Sequence, residues 1–176
     1  MLFDAGKNVV EIYAFQGNGR LRNLGEPLTL TGHVGLSLDG KRIYGFGPII
    51  PKDINFREAR NQLKKSAFAG QLSDDTNFFK KVACGFYNRG QIELDLYKLT
   101  VPINEQTYLN IIEEIRTGGI GAFYKFPEKG DKNFPPNTYN CATFWEKCGV
   151  QLPHQSGFLE EYIPAMVRQG AERVKK

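Results

Sequence analysis

Cys141 is the residue of this sequence whose type and position best suit covalent chemistry. It directly follows Asn140, a favoured N-cap residue, so we expect a helix from about residue 140 to 147 with the thiol in its first turn. Unpaired N–H groups and the helix dipole favour the thiolate there, which is the nucleophilic form, and the same N–H groups could hold an oxyanion. The competing interpretation is a buried, inert cysteine, as most free cysteines are.

A thiol nucleophile needs a base, and the chain has two histidines, His33 and His154. His33 lies in a strand-like run with glycines on either side, and small neighbours let another element approach closely. The apolar alternation that follows predicts that His33 points away from Val34, Leu36 and Leu38. His154 follows Pro153 in a predicted loop. Alone, His33 would be interpreted as a hydrogen-bonded strand histidine, but together with Cys141 it is predicted to be the general base.

The other two cysteines are predicted to be core residues. Cys148 lies at the far end of the predicted cysteine helix, where the dipole opposes a thiolate, and Cys84 has no visible activating feature. No CxxC spacing is present and the histidines are far apart. A zinc site of cysteine and histidine ligands is therefore not expected, and we predict no cofactor and no metal.

The elements that must position these residues are strands first, then helices among strands, which predicts an α+β fold. Strands are predicted at 9–15, 28–38, 41–46 and 91–101. Helices are predicted at 55–68 and 75–84, after Asn104 up to Gly118, and from Ser156 with a break or bend at Pro164. Asp39-Gly40 predicts a two-residue type I′ hairpin that pairs Leu38 with Lys41 and places His33 opposite Phe46. Residues 125–137 are predicted to be a loop.

Length and composition predict one soluble domain spanning residues 1–176. Hydrophobic residues make up 41% and charged residues 24% of the 176-residue chain, which is ordinary for a globular protein. The net charge of +4 is mild and scattered, and no nucleic-acid motif is present, so we predict no nucleic-acid partner. No apolar run approaches the roughly 18 residues that cross a bilayer, so we expect no transmembrane segment. The first residues lack the charged start and apolar core that are typical of a signal peptide, so we do not expect one.

Two segments carry a resemblance to a known family. The run Gly32-His33-Val34-Gly35-Leu36, followed by Ile43-Tyr44-Gly45-Phe46-Gly47-Pro48, resembles the histidine strand and hairpin of circularly permuted papain-like thiol hydrolases. The run Asn140-Cys141-Ala142-Thr143-Phe144 resembles their cysteine helix, and the histidine precedes the cysteine, as in that group. The group includes permuted NlpC-type peptidases, PPPDE-type isopeptidases and relatives of lecithin retinol acyltransferase. The resemblance spans about half of the chain and leaves residues 50–90 unmatched.

The resemblance implies a small antiparallel sheet that carries His33 and packs against the helix that carries Cys141. Many members have a polar third residue on the strand after the histidine strand, where this chain has Phe46, with Tyr44 nearby. We therefore expect either a Cys-His dyad or an orienting group from elsewhere. Glu11, Tyr13 and Gln16 are weak candidates for orientation or for the oxyanion hole.

The activity implied by the resemblance is cleavage of an amide bond through an acyl-enzyme at Cys141. The leading expectation is a cysteine peptidase or amidase of bacterial type, such as an effector domain exported without a classical signal peptide. Its partners would be peptide or amide substrates, with peptidoglycan as one class and proteins as another. The alternatives are an isopeptidase acting on ubiquitin-like conjugates, a lipid acyltransferase and a binding module with an inactive site.

Overall fold

The computed structural model describes residues 8–17, 32–84, 94–126, 135–155 and 157–174. Within these ranges the chain has the predicted α+β class, with one mixed sheet of eight strands. The strands are β1 (Val9–Phe15), β2 (His33–Ser37), β3 (Tyr44–Pro48), β4 (Phe68–Asp74), β5 (Tyr97–Pro102), β6 (Phe123–Tyr124), β7 (Thr138–Tyr139) and β8 (Glu172–Arg173). The helices are α1 (Phe56–Leu63), α2 (Thr76–Ala83), α3 (Glu105–Thr117) and α4 (Leu159–Arg168), and a 3₁₀ helix spans Phe144–Cys148.

The strand order is β7-β6-β4-β3-β2-β1-β5-β8. Strand β1 lies inside the sheet and pairs antiparallel with β2 on one side and β5 on the other. The two short strands β6 and β7 pair in parallel. The sheet is therefore larger than the small antiparallel sheet implied by the resemblance, and it is mixed.

Both faces of the sheet are covered along β1 and β2. In β1, Val10, Ile12 and Ala14 pack into the main core, whereas Tyr13 and Phe15 on the opposite face pack with residues of α2. In β2, Val34 and Leu36 face the main core. The ring of His33 contacts Phe78 and Phe79 of α2 instead, as the alternation predicted.

The hairpin between β2 and β3 differs from its prediction. Leu36 pairs with Tyr44, one residue out of the predicted register. Gly40 has a φ of +73°, but Asp39 does not have a positive φ, so the turn is not of type I′. The Asp39 carboxylate accepts hydrogen bonds from the N–H groups of Lys41 and Arg42, at 2.8 and 3.0 Å. This local side-chain bonding replaces a tight two-residue turn with a wider one.

The helix ends follow the expected chemistry at several positions. The Asn104 side chain caps α3 by accepting from the Thr107 N–H at 2.8 Å, and Gly118 ends it in the left-handed region, as predicted. Helix α1 begins next to the predicted start at Asn55, whose side chain caps it, but it ends at Leu63 instead of extending to Phe68, where β4 begins. Helix α4 runs without interruption through Pro164.

Several predicted features lie outside the described residues: the start of the second strand at 28–31, the start of the strand at 91–93, the loop at 127–134 and the cap at Ser156. Within the described part of the predicted 125–137 loop, the chain leaves β6 and approaches β7. None of the helices in the described ranges has both the length and the apolar character that crossing a membrane requires.

Candidate active site

Cys141 lies in a turn that Asn140 organises. The Asn140 side-chain oxygen accepts hydrogen bonds from the N–H groups of Ala142 and Thr143, at 2.8 and 2.9 Å. The predicted cap is present, but the segment continues as a turn and a five-residue 3₁₀ helix instead of an α-helix. So short a helix contributes little dipole, and the two N–H groups held by Asn140 are not free to hold an oxyanion.

His33 is the first residue of β2, and its side chain is only 3% exposed. It pairs with Phe15 of β1, and its ring stacks on Phe79 with 5.6 Å between centroids. The Cys141 thiol interacts with the imidazole and contributes to the upward shift of its pKa. The structure thus brings together the two residues that the sequence singled out, although they are more than one hundred positions apart in the chain.

Asp75 is a third member of this cluster, and the sequence analysis missed it. Its Oδ2 lies 2.7 Å from Nε2 of His33, and its Oδ1 accepts a hydrogen bond from the Ser73 hydroxyl at 2.8 Å. Asp75 occupies the N-cap position of α2, yet its side chain makes no capping bond. Asp74 instead accepts from the Thr76 N–H at 3.0 Å, which leaves the Asp75 carboxylate for His33.

The contact between Asp75 and His33 crosses β3 at Gly45. A Cβ atom at this position would collide with the Asp75 carboxylate and with Nε2 of His33. The requirement is steric, because the side chains on either side leave no room for a methyl group. Phe46 packs in the core and stacks on Phe144 with 4.2 Å between ring centroids, so its side chain takes no part in the hydrogen bond to the imidazole.

The electrostatics favour a protonated His33. Burial alone lowers the pKa of the imidazole, but its hydrogen bond to the Asp75 carboxylate and its interaction with Cys141, together with the negative charges of these two groups, raise it to about 9. Because Asp75 occupies Nε2, Nδ1 is the nitrogen that remains for the thiol. An imidazolium fixed in this orientation places a positive charge in the cluster that contains the sulfur.

Tyr124 on β6 is a fourth residue at the thiol that the sequence analysis missed. Its side chain is buried, and both the Cys141 thiol and the Cys141 backbone N–H interact with its hydroxyl and affect its pKa. Burial and the neighbouring Cys141 raise its pKa well above the usual range, so the hydroxyl keeps its proton and can donate it. Burial and the charge of Cys141 also raise the pKa of Tyr162, a second hydroxyl near this cluster.

A cavity of about 410 Å³ opens beside the thiol. Its wall includes Cys141, Tyr124, Gln16 and Gly32, together with the charged residues Arg60, Lys64 and Glu160. Cys141 is only 7% exposed, and the cavity that it lines offers a route by which another molecule could reach the sulfur. Its volume suits a small molecule or a few residues of a peptide.

The remaining sequence candidates do not share one location. Glu11 accepts a hydrogen bond from the Tyr13 hydroxyl at 3.3 Å and forms an ion pair with Lys98 at 3.2 Å, so these residues do not orient His33. Gln16 lines the cavity. His154 lies 3.6 Å from Glu161.

The other two cysteines divide between core and surface. Cys148 is buried as predicted, and burial together with the negative charge of Glu114 raises its pKa to about 12. The prediction that Cys84 is a core residue is wrong, because it is exposed at the C-cap of α2, where the chain leaves the helix. Its apolar sequence neighbours gave no signal of that exposure.

Within the ranges that the structure describes, no three His, Cys, Asp or Glu side chains cluster as metal ligands would. No protein-family model, no curated protein and no solved structure matches this chain.

Proposed function

We propose that this protein is a cysteine hydrolase that cleaves amide bonds through an acyl-enzyme, with Cys141 as nucleophile, His33 as general base and acid, and Asp75 as the orienting carboxylate. The observation that carries the proposal is one buried imidazole that Asp75 holds at Nε2 and that also interacts with the Cys141 thiol. A nucleophile, its base and a group that orients the base are the parts that this chemistry needs. We include in this proposal that the chain is related to circularly permuted papain-like thiol hydrolases.

Acylation begins with attack of the Cys141 thiolate on the substrate carbonyl carbon, which forms a tetrahedral oxyanion. The imidazolium of His33 then donates its Nδ1 proton to the leaving amine. The carbon–nitrogen bond breaks, the amine departs and a thioester links the acyl group to Cys141. Asp75 stays ionised and holds the ring through Nε2, so that the proton moves only at Nδ1.

Deacylation uses the same two groups in reverse. Neutral His33 removes a proton from a water molecule, and the hydroxide attacks the thioester carbon. The carbon–sulfur bond breaks, the carboxylic acid leaves, and the thiolate and imidazolium are restored.

Tyr124 supplies the oxyanion donor in this mechanism. The N–H groups of Ala142 and Thr143 are already bonded to Asn140, which leaves the Cys141 N–H and the Tyr124 hydroxyl at the sulfur. When a substrate carbonyl enters, its oxygen would accept hydrogen bonds from these two donors. Donors fixed in this way stabilise charge that develops in the transition state.

The cavity volume favours peptide or amide substrates over a long lipid ester, and cell-wall peptide and modifier-protein conjugates are the two classes to test first. Purified protein is incubated with peptidoglycan fragments and with ubiquitin-like conjugates, and the reaction is quenched in acid. Mass spectrometry should then detect an acyl adduct on the peptide that contains Cys141, and Cys141→Ala should yield neither adduct nor product.

His33→Ala and His154→Ala form a matched pair for the same assay. Loss of the base should lower turnover by about 10²–10⁴-fold, whereas loss of His154, which lies by Glu161, should leave turnover near normal. Undiminished hydrolysis by Cys141→Ala, or a loss that follows His154 instead of His33, would contradict the proposed function.

A further inference from the structure

The wall of the cavity beside Cys141 carries two basic side chains from the end of α1. Arg60 is half-buried and Lys64 is exposed, and both line the cavity. They are four residues apart, so they lie on the same face of the helix and point in similar directions. Helix α1 is anchored by Ala59 and Leu63, which are fully buried, so the position of the two cations relative to the thiol is set by packing.

Neither cation has a carboxylate partner among the residues that the structure describes. Glu160, the acidic residue of the same wall, forms no ion pair with Arg60 or Lys64 within 4.0 Å. The three side chains together give the cavity wall a formal charge of +1. One guanidinium and one ammonium group that face a cavity, and that have no carboxylate partner in the described ranges, are available to an anion from outside.

We infer that Arg60 and Lys64 select substrates that carry a carboxylate near the scissile amide, such as an acidic side chain or a free chain terminus. This inference rests on the proposed function, because it assigns the substrate class of the same site. The carboxylate would lie at the α1 end of the cavity while the scissile carbonyl lies at Cys141. Arg60 suits this role best, since its planar fork can bond both carboxylate oxygens and its partial burial limits screening by salt.

The test uses two reagents that share the same electrophile, a chloroacetyl group, and differ in one functional group. N-chloroacetyl-glutamate amide and N-chloroacetyl-glutamine amide both alkylate thiols, but only the first carries a carboxylate. The rate of Cys141 labelling is measured by peptide mapping over a range of reagent concentrations, which gives a half-saturating concentration and a maximal rate. The half-saturating concentration should be roughly tenfold lower for the glutamate reagent, the effect expected of one charge-assisted hydrogen bond.

A matched pair of double variants distinguishes the effect of the two cations in the cavity wall from the effect of positive charge elsewhere on the helix. Arg60→Gln with Lys64→Gln should abolish the preference for glutamate. Arg57→Gln with Lys65→Gln removes the same charge from exposed positions next to them, outside the cavity wall, and should preserve the preference. Basic residues at the end of a helix also stabilise it, but that role changes the free energy of unfolding and not the ratio between the two reagents.

The outcomes distinguish this inference from the proposed function. Rapid labelling of Cys141 with equal half-saturating concentrations would overturn the carboxylate preference and leave the hydrolase proposal intact.

If Cys141 is labelled no faster than Cys84 by either reagent, the hydrolase proposal fails. The carboxylate preference is then tested by ligand binding alone. Cys141→Ala is then titrated with N-acetyl-glutamate amide and N-acetyl-glutamine amide by NMR. Tighter binding of the glutamate ligand that is lost with Arg60→Gln and Lys64→Gln supports the inference, and equal binding rejects it.

Discussion

Cys141 and Cys148 lie seven residues apart in one short segment, and both are buried, yet their surroundings differ in every respect that matters for reactivity. An imidazole, a tyrosine hydroxyl and a cavity surround Cys141. Cys148 sits in the core beside the charge of Glu114, and both burial and that charge disfavour its thiolate. Burial alone therefore does not make a thiol inert; the difference comes from the polar groups that other parts of the chain bring to it.

Alkylation should show the largest difference between the two thiols. A pKa of about 12 leaves Cys148 with roughly one thiolate in 10⁵ thiols at pH 7. Cys141 lies beside an imidazolium and a cavity, so limited iodoacetamide should modify it first, with exposed Cys84 as the reference thiol. Peptide mapping over time gives the three rates. Modification of Cys148 at a rate similar to that of Cys141 would remove the basis of the comparison.

Tyr124→Phe should make the surroundings of Cys141 more like those of Cys148. Loss of one oxyanion donor should lower kcat by about 10²–10³-fold with a small change in KM. The variant keeps the ring, so packing against Phe46 and Phe126 should persist, which circular dichroism can verify. Tyr139→Phe, which removes a hydroxyl from the neighbouring strand β7, is the control and should retain activity. A normal kcat in Tyr124→Phe would exclude the hydroxyl from the mechanism.

Of these changes, Asp75→Asn should have the smallest effect. That effect should be specific to the titration of His33 and to the pH dependence of the free energy of unfolding. In the wild type the NMR titration of the His33 ring should have a midpoint near pH 9, above its ordinary 6.5, and Asp75→Asn should lower that midpoint. A raised folded-state pKa contributes stability that is complete below about pH 6.5 and is lost as the pH rises through about 9. The difference in unfolding free energy between wild type and variant should therefore be about 1.5–3 kcal/mol at low pH and shrink as the pH rises. A difference that grows with pH would contradict the ion pair.

Local signals in the sequence located most elements of the fold. Val9–Phe15 is rich in β-branched and aromatic residues and forms the predicted strand with its predicted bounds. The ends of α3 could be predicted from Asn104 and Gly118, because a helix cap forms its hydrogen bonds with residues only a few positions away. Strand β4 was missed because Phe68 to Asp74 alternates weakly, and its place in the sheet comes from pairing with β3 and β6. Such pairings join distant parts of the chain and leave little local trace.

The candidate site could also be predicted only in part, because contacts between distant residues leave little trace in the local sequence. Cys141 and His33 were found because few residue types can act as nucleophile and base. Asp75 was missed because an aspartate at the start of a helix is normally a cap, and only the structure shows that its side chain turns to His33. Tyr124 was missed because a two-residue strand has no periodicity, and its hydroxyl meets Cys141 only through the β6–β7 pairing.

The site is unusually sensitive to the addition of a side chain at Gly45. Strand β3 separates the strand of His33 from the loop of Asp75, and the two side chains meet across it only because this position has no side chain. Alanine scanning usually finds functional positions by removing atoms, but here the added methyl group would disrupt the contact. A mutational survey would thus place a residue without any functional group among the most sensitive positions of the protein. Transplanting Cys141, His33 and Asp75 into another scaffold would fail if the intervening strand carried any side chain at the crossing point.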